Sequence, residues 1–215
     1  MNIYCLRLLS LLLAAIFTHS SDARILEIKP SQPSLGSTPP GYTVNDLLVD
    51  FEGRGLGMQM ILQLDSGSIF QHELGSQFHY PPSRDLFRVA PTLEADTFLS
   101  MGGPDSSSSE VVLVVGASTE FPESGGARQF DESGIDVAWG AILPAWFPDQ
   151  DDFMVARITL SDDASGRLLF AGGTDLPWSF HNYVVANGRL VPIPEPTTAT
   201  LLILGVMGGG RRRRG

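Results

Sequence analysis

The acidic segment that follows Pro148 carries the residues of this sequence that are best suited to binding a hard cation. Asp149, Asp151 and Asp152 form an Asp-x-Asp-Asp arrangement. Carboxylate oxygens are the ligands that Ca²⁺ prefers, and a loop with this triplet can supply three of them. The spacing of an EF-hand is absent, because no glycine stands at the sixth position and no glutamate at the twelfth. The segment therefore predicts either a candidate Ca²⁺ site or the solvated aspartates of a turn.

The histidines do not have the spacing of a known catalytic or metal-binding motif. His72 and His79 are seven residues apart, without the spacing of a zinc protease helix or of a facial triad. A Gly-x-Ser-x-Gly nucleophile motif is also absent. The only cysteine, Cys5, lies in a segment expected to be removed, which excludes disulfides and thiolate chemistry in the mature protein. We therefore predict a protein without catalytic residues or an organic cofactor.

Several aromatic residues raise a different hypothesis, the binding of an extracellular polysaccharide. Trp146, Phe147 and Trp178 lie beside prolines in expected loops, where rings can stack on sugars. Tyr183 is a further candidate, whereas Trp139 is on the apolar side of its strand and is expected in the core. An exposed, coplanar set of these rings would favour a carbohydrate-binding module, and their burial would favour a non-enzymatic envelope or matrix protein.

Alternation of apolar and polar residues with a period of two predicts the elements that position these side chains. Leu47 and Val49 are expected on a buried face, opposite Asp46 and Asp50. Turn-rich segments separate the alternating stretches, so an all-β, antiparallel β-sandwich or jelly-roll-like fold is predicted. Strands are expected near 46–52, 58–65, 68–72, 97–101, 111–115, 135–139, 154–161, 168–171 and 183–186. The predicted core includes Leu47, Val49, Met60, Leu62, Leu113, Val137 and Ile158.

Two local features refine this expectation. The run 111–115 (VVLVV) is continuously apolar and mostly β-branched, which predicts a central strand buried on both faces. After Pro81 and Pro82, Ser83 is expected to cap one short helical turn that ends at Arg88.

Residues 1–23 have the order of a secretory signal peptide that forms a helix. Arg7 supplies the positive charge, 8–17 is an apolar run of ten residues, and Ala23 provides a small residue at the cleavage position. Cleavage after Ser20 is the alternative, and an uncleaved N-terminal anchor is another. We expect export by the Sec machinery and removal of this segment by signal peptidase, which leaves an acidic domain over 24–190.

The last 25 residues, 191–215, combine three elements in a fixed order. A Pro-Glu-Pro motif precedes the apolar segment 197–210, which is expected to form a short helix. Its fourteen residues at 1.5 Å each extend about 21 Å, less than the hydrocarbon core of about 30 Å, so insertion into the membrane should be transient. Arginines then hold the end of the chain in the cytoplasm. The motif is Pro194, Glu195 and Pro196, and the basic tail is Arg211, Arg212, Arg213 and Arg214.

This order resembles the PEP-CTERM sorting signal. The resemblance implies that the tail is recognised by an exosortase, a membrane-embedded cysteine transpeptidase that is thought to cleave near the Pro-Glu-Pro motif. A Pro-rich linker to a plain C-terminal anchor is the alternative. The body is also similar to uncharacterised exported proteins of planctomycete-like bacteria, in runs such as 67–71 (GSIFQ), 95–98 (ADTF) and 149–157 (DQDDFMVAR).

The charge of the chain excludes one class of function. The net charge is −10, and Lys29 is the only lysine. Since such a surface repels a phosphate backbone, nucleic-acid binding is not expected.

Overall fold

The computed structural model describes residues 24–52, 57–75, 79–142, 147, 149–173 and 178–193. These ranges contain eleven strands and two 3₁₀ helices, Arg84–Arg88 and Pro91–Ala95. The strands are β1 Arg24–Ser31, β2 Tyr42–Glu52, β3 Gly57–Ser66, β4 Phe98–Gly102, β5 Val112–Gly116, β6 Gln129–Asp131, β7 Gly134–Ala141, β8 Gln150–Ser161, β9 Ser165–Gly173, β10 Ser179–Ala186 and β11 Arg189–Pro192.

The strands form two antiparallel sheets. Sheet A has the order β1-β2-β8-β4, and sheet B has the order β11-β10-β9-β3-β7-β5, with β6 also paired to β7. One hydrophobic core contains buried residues of both sheets, so the arrangement is sandwich-like. The predicted all-β, antiparallel fold is confirmed.

The alternation of the sequence is reproduced by the inward faces of the long strands. Successive inward residues of β2 and β3 are fully buried, because one face of each strand packs on the opposite sheet. Six of the seven predicted core residues are buried: Leu47, Val49, Met60, Leu62, Val137 and Ile158.

The seventh predicted core residue, Leu113, is 46% exposed, and the prediction of a central strand over 111–115 is wrong. In the structure β5 is the last strand of sheet B, and among the described strands its one partner is β7. Val112 points into the core, whereas Val111 and Val115 are exposed. The run of β-branched residues predicts a strand correctly, but intrinsic preference for the extended backbone carries no information about position within a sheet.

The segment 68–72 also differs from its prediction as a strand. An isolated bridge between Ile69 and Leu160 joins this segment to β8. The bridge lies beyond the residues of β8 that pair with β4. The expected helical turn at Arg84–Arg88 is present as a 3₁₀ helix. Ser83 occupies its N-cap position, but its side chain makes no capping hydrogen bond.

The expected helices at the two ends of the chain, over 1–23 and 197–210, lie outside the described residues, and so does the cleavage position at Ala23. Within the described ranges, no helix has both the length and the apolar character needed to cross a membrane.

Candidate functional site

The end of β11 is the place where the body is joined to the predicted sorting motif. Pro192 is paired with Tyr183 of β10, and the backbone N–H of Ile193 donates to the carbonyl of Asn182 at 3.1 Å. Pro194, the first residue of the motif, follows Ile193 directly. The tail therefore leaves the body from an edge of sheet B.

A tight turn positions this edge strand. Asn187 and Gly188 connect β10 to β11, and both have positive φ angles, of 52° and 72°. This is the backbone of a two-residue hairpin turn, which asparagine and glycine adopt at least cost. A side chain at Gly188 would also collide with the backbone of Ser161, because its Cβ would lie 2.8 Å from that carbonyl oxygen.

Two buried polar side chains hold the hairpin against sheet A. Asn45 of β2 donates from Nδ2 to the carbonyls of Gly188 (2.8 Å) and Ile158 (3.2 Å), and its Oδ1 accepts the N–H of Leu190. The hydroxyl of Tyr183, in β10, donates to the carbonyl of Ile28 in β1 at 3.2 Å. Burial, with a smaller contribution from the charge of Glu27, raises the pKa of the Tyr183 hydroxyl.

The members of the candidate Ca²⁺ triplet lie at the start of β8. Asp151 and Asp152 open β8 and are exposed, and Asp149 precedes the strand. The carboxylate of Asp152 faces the ammonium of Lys29, with Oδ1 at 3.3 Å from Nζ. No group of three histidine, cysteine or acidic side chains placed to hold a metal occurs within the described residues. The Ca²⁺ site stays a prediction, now with a competing cation beside one of its ligands.

Lys29 also pairs with Asp50 at 2.5 Å, which is the shortest of its three ion pairs among the described residues. Asp50 also accepts the backbone N–H of Asp152 at 2.8 Å. Asp152 has a positive φ of 54°. That N–H, and then the Lys29 ammonium, hold the pKa of the Asp50 carboxyl below its usual range. The pairs raise the pKa of Lys29 in return, with Asp50 as the main cause.

His72 and His79, the two histidines of the spacing considered above, have different surroundings. His72 Nδ1 accepts the N–H of Leu74 at 3.0 Å. The ring of His79 is buried and packs against the Phe130 ring, with centroids 5.4 Å apart. Burial, and next the positive charge of Arg128, lower the pKa of His79 to about 4, so its ring is neutral near pH 7.

The described aromatic rings are used mainly for packing. Trp139 is buried in the core, as predicted. Tyr183 is buried as well, so its prediction as a sugar-stacking ring is wrong. Phe147 is half-buried and lies edge-on to Phe153 at 4.9 Å.

Trp178 is half-buried on the outer face of sheet B, next to the buried cluster of Ile61, Phe121, Leu169 and Ala171. It covers Gly57, since a Cβ there would lie 3.4 Å from Trp178 Cη2. Trp146 lies outside the described residues. The described rings do not make the coplanar exposed set that favours carbohydrate binding, and that hypothesis stays a prediction.

A buried ion pair was not foreseen from the sequence. Arg157 of β8 donates from Nε and Nη2 to the two carboxylate oxygens of Asp46 at 2.7 and 2.8 Å. Its Nη1 donates to the carbonyl of Glu94, and its guanidinium lies over the Phe98 ring at 5.4 Å. The helix Pro91–Ala95 thus covers the ion pair of Asp46 and Arg157 on the outer side of sheet A. The alternation predicts that this side is exposed to solvent.

Asp96 is a second buried charge that the sequence did not reveal. Its Oδ1 accepts the N–H of His72 at 2.7 Å, while its Oδ2 has no hydrogen-bond partner among the described residues and lies against Gly75. Burial raises the pKa of Asp96 to about 6, against smaller lowering by the N–H groups of His72 and Thr97.

The predicted sorting residues Pro194, Glu195 and Pro196, and the arginines 211–214, lie outside the described residues. Comparison with protein-family models gives no match, and comparison with curated proteins and with solved structures gives no significant match. The functional assignment therefore rests on the motifs and on the geometry described above.

Proposed function

We propose that this chain is an exported, non-enzymatic protein of the cell envelope or extracellular matrix, delivered by a C-terminal sorting signal. The observation that carries the proposal is the order of Pro194-Glu195-Pro196, an apolar segment and four terminal arginines, directly after the last strand of a two-sheet body. The partners are signal peptidase and the Sec machinery for residues 1–23, and an exosortase for the tail.

The position of β11 supports processing at the motif. Every described strand ends at or before Pro192, so a cut near Pro194-Glu195-Pro196 breaks no pair of the two sheets. Proline lacks a backbone donor and has a fixed φ, and a motif with two prolines therefore favours an extended strip that an enzyme can bind. The β-sandwich domain would leave the membrane intact.

The two sides of the motif have different roles in this proposal. The segment 197–210 enters the bilayer, and the arginines 211–214 stay on the cytoplasmic side. Because the apolar segment is short, it holds the protein only until the exosortase acts.

A processing assay in a host that carries the exosortase tests the proposal. Glu195→Ala should leave the full-length chain in the membrane fraction, because the enzyme loses its recognition residue while the apolar segment is unchanged. Asp151→Ala, which removes an exposed carboxylate of the body, is the matched control and should be processed like the wild type. Equal processing of Glu195→Ala and wild type on an immunoblot would argue against an exosortase substrate.

The alternative, a carbohydrate-binding module, rests on Trp146, Phe147 and Trp178 and on the extracellular polysaccharide that a matrix protein would meet. A glycan-array screen of the secreted body tests it. Binding that is lost in Trp178→Ala would support the alternative. No binding to any glycan would argue against it and favour the non-enzymatic envelope or matrix protein.

A further inference from the structure

The outer face of β10 and β11 carries a strip of exposed apolar side chains, which we call the exit face. It consists of Phe180, Val184, Val191 and Ile193, which are 47%, 42%, 46% and 49% exposed. Val184 and Val191 are directly opposite each other in the β10–β11 register, so these two side chains form one patch, and the exposed Asn182 lies between Val184 and Phe180 on the same face. The alternate residues, Tyr183, Val185 and Leu190, are buried in the core, which fixes the exit face outward.

The exit face differs from the rest of the body in charge. No aspartate or glutamate occurs between Ser179 and Ile193, although the chain has 24 acidic residues. The one charged side chain on β10 and β11 is the exposed Arg189. Arg167 of β9 is opposite Val184, but its guanidinium is paired with the carboxylate of Glu123 at 4.0 Å, so it adds no net charge beside the patch. An apolar strip with the exposed Arg189 at its border is complementary to a surface that combines anionic groups with hydrocarbon.

The tether that follows the exit face is short. Three residues, 194–196, separate Ile193 from the apolar segment that begins at Thr197. A fully extended chain covers at most about 3.6 Å per residue, so Thr197 lies no more than about 14 Å from Ile193. When 197–210 is in the bilayer, the exit face is therefore held next to the lipid headgroups at a high effective concentration.

We propose that the exit face contacts the anionic lipid surface of the membrane while the tail is inserted. This inference rests on the proposed insertion of 197–210. The apolar side chains enter the headgroup region, and Arg189 lies near lipid phosphates. The acidic remainder of the body is directed away from the membrane, which presents the Pro-Glu-Pro strip at the bilayer surface in a defined orientation. Cleavage removes the tether, and the body then leaves because one small patch binds lipid weakly.

Site-specific fluorescence quenching tests the contact. The full chain carries Cys5→Ser and one new cysteine, labelled with bimane, and is reconstituted into phosphatidylethanolamine–phosphatidylglycerol vesicles that contain a nitroxide-labelled lipid. Val191→Cys reports on the exit face. Val115→Cys is the matched control, because Val115 is an exposed valine of β5, on the opposite edge of the same sheet. Ile203→Cys reports on insertion of the tail.

The expected result is loss of fluorescence for the labels at 191 and 203 and no loss for the label at 115. Quenching at 203 with equal signals at 191 and 115 would overturn the lipid contact and leave the proposed function standing. No quenching at 203 would overturn the insertion of the tail and this inference with it. Protection of position 191 that depends on protein concentration, without quenching by lipid, would assign the face to a second copy of the chain and overturn the inference.

Discussion

The side-chain amide of Asn45, in β2 of sheet A, donates a 2.8 Å hydrogen bond to the carbonyl of Gly188, in the turn between β10 and β11 of sheet B. The same side chain binds Ile158 and Leu190, so one buried residue satisfies three backbone groups. The hairpin from which the tail leaves is thus fixed to the opposite sheet by a polar contact.

Asn45→Ala should destabilise the body by about 2–3 kcal/mol, because buried backbone groups of the hairpin lose their partners. The measurement is the free energy of unfolding by urea. Asn182→Ala, which removes an exposed amide from β10, is the matched control and should change stability by less than about 0.5 kcal/mol. Similar losses for the two variants would contradict the role of Asn45.

Arg157→Met should cost about 3–5 kcal/mol, because it leaves the Asp46 carboxylate buried without its cation. The double variant Asp46→Leu/Arg157→Met should recover a large part of this loss, since an apolar pair needs no compensation for desolvation. Arg167→Met removes an arginine that is about half exposed and is the control. A double variant as unstable as Arg157→Met in thermal and urea denaturation would refute this explanation.

Asp96 should make the body more stable at acid pH. Its pKa is about 6 in the folded protein against 3.8 as the ordinary value. The folded state therefore binds the proton more tightly, and the stabilisation is complete below about pH 4 and is lost as the pH rises through about 6. His79, whose pKa is lowered to about 4, acts in the opposite sense, because its contribution is lost as the pH falls below 6.5.

The comparison that isolates Asp96 is the difference between Asp96→Asn and wild type. The free energy of unfolding of the wild type should fall by about 2 kcal/mol more than that of Asp96→Asn between pH 4.5 and 7.5. Asp85→Asn alters an exposed carboxyl and should leave the wild-type profile unchanged. Parallel profiles for Asp96→Asn and wild type would show that Asp96 is not the buried titrating group.

Millimolar Ca²⁺ should leave the melting temperature of the wild-type body unchanged. Lys29 already lies 3.3 Å from the Asp152 carboxylate, and among the described residues the triplet's side chains do not come together as a metal-binding group. The same measurement on Lys29→Ala, which lacks the competing cation, is a more sensitive test for Ca²⁺ binding at the triplet. A Ca²⁺-dependent rise in melting temperature that is present in wild type and lost in Asp149→Ala would instead establish a site.

The alternation of side chains was sufficient to predict β2, β3, β7 and β8. A strand that packs one face on a core must alternate, so inward residues such as Leu47 and Met60 could be assigned from the sequence alone. The order of strands within a sheet is set by long-range pairing, which the alternation does not reveal. For this reason the prediction of β5 at the centre of a sheet is wrong, and the strand lies at an edge.

The buried polar residues were missed for a related reason. Asp46 and Arg157 have the alternation of a solvent-facing side, and they are buried where the helix Pro91–Ala95 and the Phe98 ring pack on Arg157. The Asn187-Gly188 turn, in contrast, has a recognisable signature, because this dipeptide between two β-type runs is a strong hairpin signal. This signal is sufficient to predict that β10 and β11 are neighbouring strands. It therefore also indicates the sheet edge at which the tail begins.

Mass spectrometry of the protein isolated from its native host tests the central claim most directly. The account predicts an extracellular or envelope-bound form that begins at Arg24, or at Ser21 with the alternative cleavage, and ends near Pro194-Glu195-Pro196. The arginine-tipped segment should be missing from this form. Recovery of an extracellular protein that is intact through Gly215 would contradict the account.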